Sequence, residues 1–504
     1  MLQPVLTRTL LLVGLGLVGV MTPLLPAAAQ IQIDPALRFD PAAGPVDVLV
    51  HLRHDGAYVE RALPQGSGPE GFARRVTAQV DRLRSRADIG QASLLRELKA
   101  RGVPHRAFWV ANVVQVHATP EILQWLAQRD DVVALAADAQ VSARVPEAVR
   151  ESERQPSAVQ AVEWGVSRVR APQVWALGYR GQGVVVGGQD TGYQWDHPAL
   201  RAQYRGWDGS VASHDHNWRD AITGGVFNAA CGFSSPAPCD DHNHGTHTMG
   251  TAVGDDAGAN QIGVAPEARW IGCRNMNSGD GTPSTYLDCL QWFLAPTRID
   301  GSDPRPELAP HVMVNSWGCP PSEGCTDPGI LAEAVANAHE AGIFVVVSAG
   351  NAGSACSSVT MPPAIYPQAF TVGATDISDD IAGFSSRGPG PHGRLHPDIV
   401  APGVGIRSSI RNGGYGQSSG TSMAGPHVAG VAALMMSADP TLIGDPERVA
   451  ALLRASARPA TSAQDCGAFP GSQVPNAVFG HGHVDALAAL AEVVLLLFAD
   501  GFED

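Results

Sequence analysis

The chain has 504 residues, of which 44% are hydrophobic and 16% charged, a globular composition with enough length for more than one domain. The net charge is −15 and is uneven: residues 151–504 carry 18 Arg and no Lys against 35 acidic residues, whereas residues 30–150 hold 15 basic and 14 acidic ones. This balance argues against nucleic acid or an anionic membrane surface as a partner.

The first 29 residues have the pattern of a secretory signal peptide. Arg8 gives a weakly positive start, residues 10–20 are apolar, and residues 27–29 are three alanines that offer a small-residue cleavage site. An uncleaved membrane anchor is the alternative, but the apolar stretch is short and two prolines follow it. We therefore expect a secreted protein, extracellular or periplasmic, with no membrane partner.

Residues 30–150 are predicted to form a separate α+β unit. Alternating or β-branched runs indicate strands, and charged runs of helical period or a proline in the first turn indicate helices. In chain order the predicted elements are a strand at 46–52, a helix at 74–101, a strand at 108–117, a short helix at 120–129 and a strand at 132–136. The polar segment 143–161 is typical of an exposed linker suited to processing, but it does not fix a cleavage point.

Residues 151–490 alternate between strand and helix patterns. Strands are predicted at 270–274 and 312–315, and helices at 284–294, 330–341 and 421–437. Such alternation is typical of a parallel sheet with helices on both faces. This part is therefore predicted to be a three-layer α/β domain.

The segment 420–430 places a serine at the entrance of a helix of small residues. The N–H groups and the positive dipole end of a helix N-terminus favour developing negative charge, so Ser422 is a candidate nucleophile. The tripeptide Gly-Thr-Ser alone is more often a turn followed by an N-cap, and the assignment depends on partners elsewhere in the chain.

Two further segments supply an acid and a base. The β-branched run 183–190 predicts a buried strand that ends at Asp190, at the edge where a parallel sheet opens its functional side. His244 opens a run of small residues that is consistent with a closely packed helix. Because histidine accepts a proton near neutrality and a buried carboxylate fixes its tautomer, Asp190, His244 and Ser422 follow the chain order of one known catalytic triad.

Asn351 stands between glycines after a predicted buried strand that begins at Ile343. Its side-chain amide can donate a hydrogen bond to an oxyanion. The alternative is a turn residue in the left-handed conformation.

Together these motifs resemble those of the subtilisin-like serine proteases, or subtilases. The main matching blocks are Gln189-Asp190-Thr-Gly, His244-Gly-Thr-His247, Ser348-Ala-Gly-Asn351 and Gly420-Thr-Ser422-Met-Ala-Gly-Pro, with lesser matches at 315–318, 384–389, 398–402 and 480–486. They run in family order across roughly residues 165–490. The block that starts at His244, with the later block at 315–318, resembles the bacillopeptidase F branch.

The resemblance implies a role for each matching residue. Asp190 would orient His244, which would act first as general base and then as general acid. Ser422 would attack the scissile carbonyl. Asn351 and the backbone N–H of Ser422 would hold the oxyanion.

The resemblance also implies substrate contacts and an inhibitor. One segment, which consists of Ser316, Trp317 and Gly318, would pair with the substrate backbone beside the specificity pocket. Another, which consists of Ser348, Ala349 and Gly350, would form a wall of that pocket. Residues 30–150 resemble the ferredoxin-like propeptide of subtilases, which helps the protease fold and blocks its cleft until it is removed. An ordinary accessory domain is the alternative.

The segment 240–247 is also rich in possible metal ligands. A zinc hydrolase would use three such ligands, but the His-Glu-x-x-His spacing is lacking and the serine and asparagine motifs would stay unexplained. We therefore assign no metal here, and we expect Asp240 and Asp241 to lie in a solvated acidic loop and His247 to pack within its helix.

Many subtilases bind calcium in the loop that follows this helix, here residues 254–266. The position expected to supply a side-chain oxygen is Ala257, and calcium needs about 6–8 oxygen ligands. Calcium is therefore left unassigned, although Asp255 and Asp256 keep a different site open.

All eight cysteines lie after residue 230, and an even number in an exported chain indicates disulfides. Cys231–Cys239 and Cys319–Cys325 are plausible small loops, and the remaining connectivity is open. The tail 491–504 combines an apolar run with an acidic end, which fits either a terminal strand or a sorting signal for export.

The sequence as a whole predicts a secreted serine endopeptidase, made as a pre-pro-enzyme, that cleaves proteins or peptides through an acyl-enzyme without an organic cofactor. Its own propeptide would be its intramolecular inhibitor. Two hypotheses from other classes are an inactive subtilase-like binding protein and a serine esterase on the same scaffold. All catalytic residue types are present, which argues against the first of these.

Overall fold

A computed structural model describes residues 31–40, 44–54, 62–142, 149–150, 161–224, 230–320 and 325–500. The predicted signal peptide and most of the predicted linker lie outside these residues. The N-terminal unit consists of β1 (Gln32–Ile33), β2 (Val46–Leu52), α1 (Gly68–Ala100), β3 (His105–Phe108), β4 (Val113–Ala118), α2 (Pro120–Leu126) and β5 (Val132–Ala137).

The strands of the N-terminal unit form one sheet in the order β1-β5-β2-β4-β3. The single strand predicted at 108–117 is wrong, because the chain turns at 109–112 and continues as β4, antiparallel to β3. Asn112 takes φ +46° in this turn, a left-handed conformation that asparagine tolerates better than most residues. The extra strand completes the β-α-β-β-α-β succession of a ferredoxin-like unit.

Three short strands follow, β6 (Val141–Ser142), β7 (Val149–Arg150) and β8 (Ala161–Val162), and the chain then enters the larger domain. Its elements are α3 (Trp164–Arg168), α4 (Ala171–Trp175), β9 (Val185–Asp190), β10 (Trp218–Asp220), α5 (His244–Val253), β11 (Asn260–Gln261), β12 (Arg269–Arg274), β13 (Met276–Asn277), β14 (Asp280–Gly281), α6 (Pro283–Leu294), β15 (Val312–Asn315), α7 (Ala332–Glu340), β16 (Phe344–Ser348), β17 (Phe370–Thr375), β18 (Ile399–Pro402), β19 (Ile406–Ile410), β20 (Gly414–Ser418), α8 (Thr421–Ala438), α9 (Pro446–Ala455) and α10 (Ala486–Asp500).

The central sheet has seven strands in the order β10-β12-β9-β15-β16-β17-β18, and every neighbouring pair is parallel. Successive residues of β9 identify a helical layer on each face. A Cβ on Gly187 would lie 2.9 Å from Phe293 of α6, whereas one on Gly188 would lie 2.8 Å from Met249 of α5. Since successive strand residues point to opposite faces, α5 and α6 lie on opposite sides. The predicted α/β fold is confirmed.

Helix α8 is buried along nearly its whole length because its residues are small. Residues 421–436 are all buried, and α8 packs against α5 in the same layer. A Cβ on Gly430 would lie 2.5 Å from Val264 and 3.0 Å from the carbonyl of Ala252, so only glycine allows this approach. Two helices that begin at the same edge of the sheet are thereby held in direct contact.

The N-terminal unit packs on the other helical layer, which contains α6 and α7. Arg82 and Arg86 of α1 pair with Glu340 and Glu333 of α7. Asn337 of α7 accepts a hydrogen bond from Gln79 Nε2 at 3.2 Å and donates one to the Val110 carbonyl at 2.7 Å. Further contacts across this interface are Arg106–Asp288, Gln291–Trp109 and Ser284–Asp138.

The eight cysteines form four disulfides, Cys231–Cys239, Cys273–Cys289, Cys319–Cys325 and Cys356–Cys466. Both predicted small loops are present. The last described element is a helix, so the terminal strand considered for the tail is wrong: α10 runs from Ala486 to Asp500 and its start packs beside α8. Among the described helices, none combines the length and apolar character needed to cross a bilayer.

Two buried histidines in the α5–α8 layer make stability depend on pH. Burial lowers the pKa of His247 to about 3 and that of His427 to about 4. An unfolded histidine binds a proton below about pH 6.5, whereas these folded ones do not until about pH 3–4. Between those values the unfolded state holds more protons, so the free energy of unfolding falls as pH falls, by up to about 1.4 kcal/mol per pH unit for each histidine.

Urea unfolding of the Ser422→Ala variant between pH 7 and pH 5 measures this effect without self-digestion. We expect the midpoint to fall with pH. Adding His392→Gln, at an exposed position, should leave the change of the urea midpoint with pH as it was. Adding His427→Gln should make the midpoint change less with pH. Equal midpoints at pH 5 and pH 7 would contradict the explanation.

Candidate active site

A buried hydrogen bond joins the end of a central strand to the start of a helix. Asp190 is the last residue of β9 and His244 the first of α5, and His244 Nδ1 lies 2.7 Å from Asp190 Oδ1. The side chains are 0% and 2% exposed, respectively. Asp190 also accepts hydrogen bonds from the Thr191 backbone N–H at 2.7 Å and from Thr248 Oγ1 at 3.3 Å. The carboxylate can hold the imidazole in the tautomer that carries its proton on Nδ1.

Glycines permit this close approach of strand and helix. A Cβ on Gly245 would lie 2.1 Å from the Gly192 carbonyl and 3.0 Å from Cβ of Asp190. Gly192 has φ +107°, and a Cβ there would lie 1.8 Å from the Cys239 carbonyl. A side chain at either position would separate His244 from the acid.

Asp240 organises the turn before α5, and the expectation that it lies in a solvated loop is wrong. It is buried, with 5% exposure. Its Oδ1 accepts hydrogen bonds from Thr191 Oγ1 and the backbone of His242 and Asn243, and its Oδ2 accepts from the backbone and hydroxyl of Thr246. It therefore accepts hydrogen bonds from N–H groups that have no partner within the helix, and it holds the side chain of Thr191, the residue after Asp190. The sequence signal that could have indicated this role is an aspartate just before a predicted helix of small residues.

Asp241 is also buried, and its carboxylate is tolerated there because it pairs with an arginine from another strand. Arg274, at the end of β12, contacts both Asp241 and Asp220, the latter at 3.1 Å. Sequence reasoning missed this pair since the partners are far apart in the chain. His247 agrees with its prediction: it is fully buried, and its Nε2 lies 3.0 Å from the Ile406 carbonyl.

Ser422 lies in the first turn of α8, where helix N–H groups have no partner within the helix. Its Oγ donates to the Ser316 carbonyl at 2.8 Å, and Ser316 Oγ donates back to the Ser422 carbonyl at 3.0 Å. Strands β9 and β15 pair in parallel with Gln189 opposite Asn315, so the next residues, Asp190 and Ser316, lie at the same level on neighbouring strands. Parallel strands are about 4.8 Å apart. The sheet thus brings the acid and the support of Ser422 to one edge.

His244 Nε2 is buried and has no hydrogen-bond partner among the described residues. The Ser422 hydroxyl therefore bonds to Ser316 and not to His244 in this structure. A serine hydroxyl changes partner by rotation about one bond, and catalytic hydrogen bonds are often long before substrate binds. The arrangement places a histidine nitrogen that has no partner within the described ranges, and a serine hydroxyl, at the starts of two adjoining helices.

Asn351 is exposed and directly tied to α8. Its Oδ1 accepts hydrogen bonds from the Thr421 backbone N–H and hydroxyl, both at 2.9 Å. This orients the amide so that Nδ2 is the group left without a partner in the described part of the chain. The donor lies beside the first turn of the helix that carries Ser422.

Two backbone segments extend from neighbouring strands beyond Ser422. Residues 316–318 follow β15, and residues 348–350 end and follow β16, with Asn315 opposite Val347 in the parallel pairing. The Trp317 ring is buried against Tyr286, with centroids 4.1 Å apart, and its Nε1 donates to the Gln189 carbonyl. Its side chain therefore packs into the core of the larger domain.

The loop after α5 does not fit a calcium ion. Ala257 supplies no side-chain oxygen, and both carboxylate oxygens of Asp256 accept hydrogen bonds from Gly258, Asn260 and Tyr415. Asn260 Oδ1 accepts from Arg407 at 2.7 Å, and Arg407 also bonds to Glu163. Nor do the described residues contain a group of three His, Cys, Asp or Glu side chains placed to hold a metal. The side-chain oxygens of Asp256 and Asn260 are therefore satisfied by the Arg407 guanidinium, by backbone N–H groups and by the side chains of Asn260 and Tyr415.

Because the oxygens of this loop already have partners, we expect the loop to keep its structure when chelators are added. We expect 10 mM EDTA to change Tm by less than about 1 °C, and Arg407→Ala to lower it by several degrees, because that change removes about 1–3 kcal/mol of charged hydrogen bonding. Differential scanning calorimetry measures both, with the exposed Arg394→Ala as control. A large fall of Tm in EDTA that added calcium restores would overturn this explanation.

Comparisons with known proteins agree with this architecture. The family model described as the subtilase family (peptidase S8) matches residues 181–482. Bacillopeptidase F of Bacillus subtilis is 37% identical over 439 residues, which cover 83% of this chain and 29% of that protein. Subtilisin E of the same species is 34% identical over 284 residues, 56% of this chain and 63% of its own length. The subtilisin of Bacillus pumilus is 33% identical over 284 residues and is covered over 87% of its length.

This chain thus spans less than a third of bacillopeptidase F and less than two thirds of subtilisin E. The resemblance seen in the sequence motifs is nevertheless confirmed, since the family model covers more than half of the chain. The chain belongs to the subtilase family of serine peptidases.

Proposed function

We propose that this protein is a secreted serine endopeptidase that hydrolyses peptide bonds through Asp190, His244 and Ser422. The observation that carries the proposal is the buried Asp190–His244 hydrogen bond at the edge of the sheet that also holds Ser422. In the described part of the chain, His244 Nε2 has no hydrogen-bond partner. Membership of a serine peptidase family supports the reaction class.

The reaction begins when the Ser422 hydroxyl turns from the Ser316 carbonyl to His244 Nε2. His244 takes the hydroxyl proton as Ser422 Oγ attacks the carbonyl carbon of the substrate, and the imidazolium is stabilised by Asp190. His244 then gives the proton to the leaving amine, and the acyl-enzyme remains. Water activated by the same histidine hydrolyses the ester and restores Ser422.

The negative charge of the tetrahedral intermediate forms beside the N-terminus of α8. The backbone N–H of Ser422 and Nδ2 of Asn351 are the proposed donors to this oxygen, and the positive end of the helix dipole adds to their effect. Because Oδ1 of Asn351 is held by Thr421, the donor is oriented before substrate arrives.

Residues 30–150 are proposed to be a propeptide that acts as an intramolecular inhibitor. The interface with the larger domain is complementary in charge, since Arg82, Arg86 and Arg106 meet acidic side chains of α6 and α7. Where the chain leaves this unit, β6 pairs antiparallel with β14, with Ser142 opposite Asp280. Extended peptides bind to proteins by adding a strand in this way.

Export is proposed from the N-terminal pattern and from the four disulfides, which persist in oxidising compartments. The substrates are proposed to be proteins or peptides that enter the site in extended form. Residues 316–318 and 348–350 are proposed to bind the substrate backbone and to form the walls of the specificity pocket.

The proposal predicts covalent labelling at one residue. A fluorophosphonate should modify Ser422, as read by mass spectrometry of the labelled peptide, and Ser422→Ala should abolish both labelling and peptidase activity. This variant should also accumulate as a precursor that retains residues 30–150. Ser378→Ala, at an exposed position, is the control that keeps labelling and activity. If the wild-type protein is not labelled, an inactive binding protein is favoured. Turnover of esters without turnover of amides would favour an esterase. Normal processing of Ser422→Ala would indicate that another protease removes residues 30–150.

A second prediction separates the oxyanion role of Asn351 from its structural contact. Losing one oxyanion donor costs about 10²–10³ in kcat in a subtilisin, and we expect Asn351→Ala to show a fall of this size with KM little changed. Thr421→Val removes the hydroxyl that bonds to Asn351 Oδ1 but keeps the amide, so its loss should be less than about tenfold. Equal losses in the two variants would assign Asn351 a structural role only.

A further inference from the structure

The space between the two proposed walls of the specificity pocket is partly occupied by a side chain from a third segment. Helix α8 covers one side of this space, since a Cβ on Gly425 would lie 3.9 Å from both Ser316 Oγ and Ser348 Oγ. The Ser316 carbonyl also accepts a hydrogen bond from the Ser422 hydroxyl, so this region lies beside the candidate nucleophile. A substrate side chain next to the scissile bond would enter here.

Met361 lies between the far ends of the two walls. A Cβ on Gly318 would lie 3.3 Å from Met361 Sδ and 3.4 Å from its Cε, and a Cβ on Gly350 would lie 2.6 Å from the same Cε. The thioether therefore contacts both walls, and it does so because both wall residues are glycines. Gly350 also has φ +103°, a conformation that other residues rarely adopt.

The backbone around Met361 is fixed, although the side chain is only partly buried. The Pro362 carbonyl accepts a hydrogen bond from the Cys319 backbone N–H at 2.8 Å, directly after Gly318. Cys319 is further held by its disulfide to Cys325. The methionine thus enters the pocket from a segment that cannot move away without breaking contacts to one wall.

The chemistry of the space is neutral. Its walls consist of the backbone of Ser316, Trp317 and Gly318 and of Ser348, Ala349 and Gly350, and the side chain at its end is an uncharged thioether. A charged substrate side chain would lose its water here without gaining an ionic partner, which is costly. A large aromatic side chain would need the volume that the methionine fills.

We propose that Met361 is a specificity-determining residue that shortens the pocket, so the protein prefers substrates with a small uncharged side chain on the acyl side of the scissile bond. This inference rests on the proposed peptidase function. The inference concerns which peptide bonds the protein cleaves. Its test therefore differs from the test of whether the protein cleaves peptide bonds at all.

The test compares peptide p-nitroanilides that differ only in the residue before the scissile bond, with alanine, phenylalanine or arginine there. In the mature wild-type protein, kcat/KM for alanine should exceed the other two by at least about tenfold. Met361→Ala should raise kcat/KM for phenylalanine about tenfold or more and leave that for alanine within about threefold, because the shortened side chain frees room at the end of the pocket. The exposed Ile377→Ala is the control and should keep the wild-type preference.

The outcomes distinguish the two levels of inference. A wild-type protein that cleaves none of these peptides, nor an unfolded protein substrate, and does not label at Ser422 would overturn the proposed function. An active wild-type protein that prefers phenylalanine or arginine, or a Met361→Ala variant with an unchanged ratio, would overturn the role of Met361 alone. If the variant does not mature, the cleavage sites of wild-type protein in an unfolded substrate decide the question. Cuts mainly after alanine, serine or glycine support the proposal, and cuts mainly after large or charged residues overturn it.

Discussion

The buried hydrogen bond from His244 Nδ1 to Asp190 Oδ1 joins the end of a central strand to the start of a helix in another layer. A carboxylate in the protein interior is destabilising by several kcal/mol unless it is paired and hydrogen-bonded. Asp190 meets this requirement only where the imidazole, Thr191 and Thr248 converge, so the position of α5 relative to β9 is tightly constrained. The buried Asp240 reinforces the constraint, because it bonds both to Thr191 and to the start of α5.

From this contact the parallel sheet distributes the remaining groups along one edge. Strand β9 supplies the acid, the next strand supplies the Ser316 carbonyl that holds Ser422, and the one after it supplies the wall at Ser348. Ligand sites of open parallel sheets lie at the carboxyl ends of the strands for this reason. The proposed oxyanion donor Asn351 and Met361 come from the loop that follows, and loops change more readily than strands. The acid and the carbonyl bonded to Ser422 thus depend on the strands, whereas the proposed oxyanion donor and Met361 depend on the loop after β16.

Much of this arrangement follows from local sequence patterns, which is why the strand ending at Asp190 and the helix that begins near Ser422 could be predicted. The remaining features depend on contacts between distant segments. Two adjacent aspartates suggest a solvated loop, and nothing near Asp241 in the chain indicates that Arg274 lies against it. The turn at Asn112 was missed because residues on both sides favour strand. No local pattern indicates the position of Met361, since that position depends on its contacts with two glycines in other segments.

The disulfide between Cys356 and Cys466 spans 110 residues, and the enclosed stretch contains all of α8 with Ser422. A protease at high concentration is exposed to its own activity, and surface loops are where backbones are usually nicked. One cut anywhere inside this covalent ring opens the chain but releases neither piece. The helix that carries Ser422 would remain attached beside Asn351, so a nicked molecule keeps the proposed active-site residues together and tolerates autolysis that would otherwise divide it.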